Sequence, residues 1–465
     1  MARPILLFCC HPLTGHITPV LRIAAGLHQQ LGWRVSFLSA AFFRARIEAA
    51  GLQFLPLVGD VADLDDDSLF DRKKGGVDGL SPEQAAALPQ SVTDNRHQAL
   101  CALPGEWASL QAAVDALIHE NPGSRILVVT EAFFYGAMPL KLGLSLPPAV
   151  LRRSVCLSIT APAIRSVDHP PYGYPDSLEK TPDRPARLAA LWNEWITARA
   201  APLSALWREK LKEAGLSVDE RVKNIVFMAG ANYVCHDAIA QVGVPSFELP
   251  RSDMPAGFHI VGVVPPVVLA APPPFPWWGE LVSNQALPLN DRKKVVVVAQ
   301  GTVETEPTEL IVPTIRLLAD RTDVLTIAIL GVRGASLSES SGPLPVNCRV
   351  ADYLSYDAVL PYAALWVHNG GYGATMHGII HGVPQVLAGE TQDKPESGKR
   401  VQYSGLGINL ATAHPTPEAL GAALDAVLSE PKYAATAQAM QAEAAAMDCV
   451  GNVEKVILEE IQACT

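Results

Sequence analysis

Hydrophobic positions along the 465-residue chain fall into two series, each alternating a short apolar run with a stretch of helical periodicity. In the first half, "ILLFCC" is followed by a helical pattern over Ile17 to Leu31, then "RVSFLS", "FFRARIEAAG", a helical stretch from Glu106 to His119, and "RILVVT". Short continuous apolar runs bounded by turn residues read as strands covered on both faces. Their alternation with helices predicts βαβ units around a parallel sheet. Residues 59–105 interrupt the series with acidic and glycine-rich sequence, read as a surface insertion near a cleft, and a Trp-, Leu- and Ala-rich helical stretch occupies about 183 to 215.

Between 250 and 290 the composition turns proline-rich ("VVPPVVLAAPPPFPWW"), which suits a stiff connection between domains. The series then restarts with "KKVVVVAQ", a helix from about Thr308, "VLTIAIL", "CRVADYL", "ALWVHN", "PQVLAG" and "GINL". The pattern predicts an α/β protein of two doubly wound, Rossmann-like domains. The first spans 1–250, a linker 251–290 and the second 291–439, with a C-terminal helix over about 440–465 packing back on the first domain. Ligands of such folds bind beyond the carboxyl ends of the strands, which places a cleft between the two sheets.

Composition narrows the partners. With 36 basic and 47 acidic residues the net charge is −11, which argues against nucleic acid or an anionic membrane surface. No apolar run reaches the roughly 18 residues of a membrane span, and "MARPILLFCC" reads as a first strand and not as a signal peptide. Eight cysteines without CxxC or CxxH spacing indicate neither a zinc site nor a disulfide framework, and fit a reducing, cytoplasmic compartment.

Candidate chemistry sits at strand ends. In "CCHPLTGHITPV" the strand ends near Cys10 and a helix starts near Thr18-Pro19, so His16 stands at the mouth of the cleft, with Gly15 allowing a tight turn. An imidazole is mostly neutral at pH 7 and suits a general base; His11 competes but lies nearer the strand and before a proline. A base of this kind works best with a carboxylate on its other ring nitrogen, and Glu131, after "RILVVT", lies at the same sheet edge. In the second half "VVVVAQGT" ends a strand with Gly301 and Thr302, and "WVHNGGYGATMHGIIHGVPQ" (366–385) runs a strand into a glycine-rich helix start. Both suit an anion held by backbone N–H groups. Each feature alone has a bland reading: a loop histidine, a solvated glutamate, a Gly-Thr turn. Their co-occurrence favours a site. "DLDDD" (63–67) reads as a solvated acidic loop and not as a metal motif, and Trp277 and Trp278 as anchors of the linker.

From "GHITPVL" to "DKPESGKRVQYSGLGINL" these residues resemble the family 1 nucleotide-sugar-dependent glycosyltransferases of GT-B fold. The resemblance implies that His16 deprotonates the acceptor hydroxyl, and that Glu131 stands where the family has an aspartate. It implies that Thr302 touches the α-phosphate, that His368 contacts the diphosphate, and that Gly371, Tyr372, Gly373 and Thr375 form the phosphate-binding turn. Tyr353 would stack on uracil, with Leu354 beside it offering backbone groups. His377 replaces a ribose-binding glutamate, and Asp393 and Lys394 take the place of the acidic/Gln pair on the sugar hydroxyls. The implied reaction is inverting transfer of a hexose, glucose from UDP-glucose, to a hydroxyl of a lipophilic small molecule such as a polyphenol, polyketide or sterol. It needs no metal or cofactor and involves a monomer or weak dimer. The competing readings are a GT-B-like sugar-nucleotide epimerase and a non-catalytic nucleotide-sugar binding protein; a dinucleotide dehydrogenase is weakest, since "HPLTGH" lacks the GxGxxG turn.

Overall fold

The computed structural model describes residues 3–64, 95–174, 181–301 and 305–464. Two parallel sheets form, because uninterrupted apolar runs such as "VVVVA" can be buried only where helices cover both faces. The first sheet has the order β3-β2-β1-β4-β5-β6-β7, with β1 Ile5–Cys9, β2 Val35–Ser39, β3 Gln53–Pro56, β4 Ile126–Glu131, β5 Val150–Ser158, β6 Ala238–Val242 and β7 Phe258–Gly262. The second has the order β10-β9-β8-β11-β12-β13, with β8 Lys294–Ala299, β9 Val324–Ile329, β10 Cys348–Ala351, β11 Leu365–His368, β12 Gln385–Leu387 and β13 Gly407–Asn409. In each sheet the strand order reverses once, between β1 and β4 and between β8 and β11. Such a reversal opens a crevice at the carboxyl ends, because the flanking connections leave in opposite directions.

The helices that matter for the site are α1 (Thr14–Gln29), α2 (Asn95–Glu120), α3 (Tyr356–Val359), α4 (Tyr372–Ile380), α5 (Lys394–Ser404), α6 (Pro431–Ala446) and α7 (Cys449–Gln462). Three expectations shift. Helix α1 begins at Thr14, so Pro19 lies inside it and costs one helical hydrogen bond, while His16 sits in the first turn and not in a loop. The segment 251–290 is not linker throughout: "FHIVG" closes the first sheet as β7, paired with β6, and Trp278–Ala286 is helical. The prolines confine extended chain to the stretch between these two elements. The C-terminal segment forms two helices, broken by Met447 and Asp448, whose side chain caps α7 by accepting from Gly451 N–H.

Helix α7 lies against β5, β6, β7 and α1, and Val450 fills the space above Gly26, where a Cβ would meet the valine methyl at 2.8 Å. Helix α6 packs on α4 of the second domain. One apolar cluster therefore runs from Phe8, Val129 and Leu157 through Val453 and Ile457 to Tyr372, Met376 and Met440, joining the domains behind the cleft. A buried polar clasp adds to it. Arg400 on α5, 4% exposed, donates to Glu248 at 3.0 Å and to Glu396 at 3.1 Å, and Glu396 also accepts the Gly173 N–H at 2.8 Å. Trp277 and Trp278 hold the linker: the Trp277 indole N–H reaches the Val350 carbonyl at 3.3 Å, and Trp278 is buried. No helix among the described residues is long and apolar enough to cross a membrane.

Candidate active site

His16 and Glu131 meet across the crevice of the first sheet. Register pairs Cys9 with Thr130, which puts the end of β4 beside the first turn of α1. Nδ1 of His16 lies 2.9 Å from Oε1 of Glu131, and that oxygen also accepts the Phe133 N–H at 3.0 Å. Because a carboxylate only accepts, His16 carries its proton on Nδ1 and turns the basic lone pair to Nε2. Glu131 is 1% exposed, and its Oε2 has no hydrogen-bond partner among the described residues. A buried carboxylate with one oxygen unspent exerts an undiluted pull on the imidazole it touches. Phe133 packs edge-on against the His16 ring, 4.8 Å between centroids, and limits its rotation.

His11 makes a second pair of the same type with a different outcome. Its Nδ1 lies 2.7 Å from Oε1 of Glu106 on α2, Oε2 of which accepts the Gly136 N–H at 2.9 Å. Both side chains are buried, and burial raises the Glu106 pKa while the bond to His11 opposes the shift. Gly136 is required there, since a Cβ would lie 2.3 Å from Glu106. This pair ties the β1–α1 turn to α2 and positions His16 without reaching the cleft.

On the second sheet, α4 starts directly after β11. Gly370 takes φ +90°, and Gly371 is the N-cap, so the first turn of α4 presents backbone N–H groups without helical acceptors. The Tyr372 N–H is spent on Asp393 at 3.2 Å. A Cβ at Gly15, Gly301 or Gly373 would meet nothing within 4 Å among the described residues.

Several side chains read as phosphate ligands point elsewhere. His368 is 1% exposed; its Nε2–H donates to Gln385 Oε1 at 2.8 Å, and its Nδ1 accepts the Gly370 N–H at 3.1 Å. Burial pushes its pKa down to about 4, so it is a neutral packing residue stacked on Trp366, and both nitrogens are taken. Through its bond to the Gly370 N–H it braces the turn that leads into α4. Thr375 is fully buried and donates its hydroxyl back to the Gly371 carbonyl at 3.1 Å. The Tyr372 hydroxyl crosses to the first domain, donating to the Val242 carbonyl at 2.7 Å and accepting from Gln241 at 3.2 Å. Thr302 lies outside the described residues, as do Asp65 to Asp67 of the acidic repeat.

The remaining donor-side positions line the carboxyl edge. Tyr353 is 38% exposed with the Arg333 guanidinium 4.2 Å over its ring, whereas the Leu354 side chain is buried in the second-domain core. Asp393 precedes α5 and Lys394 opens it; the Lys394 ammonium donates to Thr391 Oγ1 at 3.1 Å and Gln392 Oε1 at 3.0 Å. Gln392 adopts φ +57°, a left-handed conformation that costs a non-glycine residue about 1–3 kcal/mol. His377 is turned from the expected ribose direction at one nitrogen: its Nδ1 lies 2.8 Å from Asp357 Oδ1.

Named relatives match nearly the whole chain. The chain is 35% identical over 455 residues to UDP-glucosyltransferase 1 of Beauveria bassiana, covering 96% of this chain and 93% of that one. The chain belongs to the family 1 glycosyltransferases. It is also 33% identical to UDP-glucosyltransferase A1 of Starmerella bombicola over 98% of this chain and 92% of that protein. Residues 316–460 match the Erythromycin biosynthesis protein CIII-like, C-terminal domain family. Among solved structures, the glycotransferase of kitacinnamycin superposes with a TM-score of 0.67 at 20% identity, covering 99% of this chain and all of that one. The glycosyltransferase VinC in complex with DTDP superposes with 0.59 at 18% identity, over 98% and 100% of the two chains. The fold is GT-B, and the protein is a UDP-glycosyltransferase. Sequence reasoning about this glycosyltransferase missed Glu106 and Asp357, the carboxylates behind His11 and His377. Neither has a local signature, although the i, i+4 spacing of His377 and His381 was a visible sign that a shared partner faced that side of α4.

Proposed function

We propose that the enzyme transfers glucose from UDP-glucose, with inversion, to a hydroxyl of a lipophilic small molecule, with His16 as general base. The observation that carries this reading is the His16–Glu131 pair at the first switch point, beside Gly15, where an added Cβ would meet no described residue within 4 Å. The acceptor hydroxyl gives its proton to Nε2 of His16 as its oxygen attacks the anomeric carbon. The bond from that carbon to the β-phosphate oxygen breaks on the opposite face, and Glu131 stabilises the imidazolium. General-base assistance of this kind contributes about 10²–10⁴-fold.

The leaving diphosphate gathers its charge at the first turn of α4, whose aligned peptide dipoles and unpaired N–H groups favour an anion. Gly371 and Gly373 let the phosphates approach that turn. Thr302, following β8 in sequence, adds a hydroxyl to the α-phosphate. Tyr353 stacks on uracil beside the backbone of Leu354, His377 meets the ribose through Nε2, and Asp393 with Lys394 orients the sugar hydroxyls. Phe133 beside His16 supports an apolar acceptor. Kinship with UDP-glucosyltransferases and the reducing-type cysteine pattern support UDP-glucose and a cytoplasmic setting.

The test is incubation with UDP-glucose, UDP-galactose and dTDP-glucose against a panel of hydroxylated aromatics, polyketides and sterols, with product mass and anomeric configuration read by mass spectrometry and NMR. A β-glucoside from UDP-glucose that disappears in His16→Ala is expected. An α-glucoside, or full-rate turnover in His16→Ala, sinks the mechanism.

A further inference from the structure

Behind the ribose-facing side of His377, Asp357 on α3 gathers two imidazoles. His377 in α4 and His381, its C-cap, lie one turn apart on the same side, with Nδ1 of the first 2.8 Å and Nε2 of the second 3.0 Å from the same oxygen, Oδ1 of Asp357. The three candidate ligand atoms all lie within 4.8 Å of one another. The other carboxylate oxygen is fixed separately: Oδ2 accepts the Val267 N–H at 2.7 Å and has the Arg22 guanidinium of α1 at 3.7 Å. We propose that Asp357, His377 and His381 form a binding site for a divalent transition-metal cation of the zinc class.

Two neutral imidazoles and one carboxylate are the donor set that borderline ions such as zinc prefer. Zinc bonds of about 2.0–2.2 Å imply tetrahedral ligand separations of about 3.3 Å. The two observed nitrogen–oxygen distances need to widen by only a few tenths of an ångström, within reach of small side-chain rotations. Histidines at i and i+4 put both rings on one side of a helix, as a shared ion requires. The Val267 N–H holds the carboxylate in place so that Oδ1 alone points at the ion, which is the part that outer partners play around metal ligands. The side chain of His377 is 31% exposed, and that of His381 9%, so water can complete the coordination.

The Val267 N–H donates to Oδ2 of Asp357 at 2.7 Å and so favours the ionised carboxylate that a metal ion takes as ligand. Arg22 opposes a cation but sits on the Oδ2 side, and burial also lowers its own pKa. An ion on Nδ1 of His377 would leave the ring proton on Nε2, making that atom a hydrogen-bond donor.

The experiment titrates EDTA-treated full-length enzyme with ZnCl2 by calorimetry, and with CoCl2 by visible spectroscopy. One saturable zinc site and intense tetrahedral cobalt bands are expected. His381→Gln and Asp357→Asn should each weaken zinc by roughly tenfold or more, while His414→Gln, at an exposed loop position, should not. Metal-free melting curves identify any variant that fails to fold; the other then carries the comparison. No saturable site, or zinc affinity undiminished in a folded His381→Gln or Asp357→Asn, overturns the proposal. Because the readout is ion binding, its failure is distinct from failure of glucosyl transfer.

Discussion

Replacing Glu131 by Gln separates the charge of the carboxylate from its shape. The amide oxygen can still accept from His16 Nδ1–H and from the Phe133 N–H, the two bonds that Oε1 makes at 2.9 and 3.0 Å. What disappears is the negative charge facing the imidazolium formed in the transition state. Two unit charges about 4 Å apart interact by about 4 kcal/mol at an effective dielectric of 20. Since about 1.4 kcal/mol is tenfold in rate, kcat should fall roughly a thousandfold. The side chain is fully buried, so water does not dilute the effect, and Oε2 has no partner among the described residues through which the protein might share the charge. Initial rates with saturating UDP-glucose measure kcat, calorimetry with UDP measures donor binding, and a melting curve checks the fold. A large loss of kcat with UDP affinity unchanged is expected. A Glu131→Gln enzyme within threefold of wild type would refute the reasoning, because the pairing would then be structural, as it is for His11 and Glu106.

Arg400→Met leaves Glu248 without its buried cation and Glu396 with Lys399 alone, and should destabilise the protein by about 3–5 kcal/mol, seen as a lower urea midpoint. Tyr372→Phe removes one of the two hydrogen bonds to the buried Val242 carbonyl, which still accepts the Gln241 amide at 2.9 Å, and should cost about 0.5–1.5 kcal/mol in the same assay, with little effect on UDP affinity if only the backbone of the turn binds phosphate. Gly389→Ala would drive a Cβ to within 1.9 Å of the Asn369 carbonyl and 2.6 Å of Lys394 Cδ, so it should displace the sugar-side segment from the donor turn and weaken UDP-glucose binding in calorimetry. Burial lowers the pKa of both His368 and His236 to about 4. Between that value and the unfolded value near 6.5 the unfolded chain holds more protons, so stability falls as pH drops through this window, by on the order of 3 kcal/mol per histidine. Urea denaturation at pH 7.5 and pH 4.5 measures the difference; equal stability at the two values would contradict it.

The sequence by itself determined the two parallel sheets, because four or more consecutive apolar residues between helical stretches have no other buried arrangement. It also determined that His16 and Glu131 share an edge, since His16 follows β1 and Glu131 ends β4, strands that the reversal of strand order makes neighbours. The glycine-rich start of α4 was legible for the same reason: a strand running straight into a helix through Gly370 and Gly371 leaves backbone donors at the sheet edge. Tertiary structure decided where the side chains around that turn point. His368 ends a strand, and the pleat sends its ring inward to Gln385, a residue 17 positions away that no local pattern marks. The hydroxyl of Tyr372 answers to a carbonyl in the other domain, and His377 and His381 answer to Asp357 on a separate helix. Periodicity fixes which face of an element a residue occupies, and the identity of the partner waiting there depends on packing between segments distant in the chain.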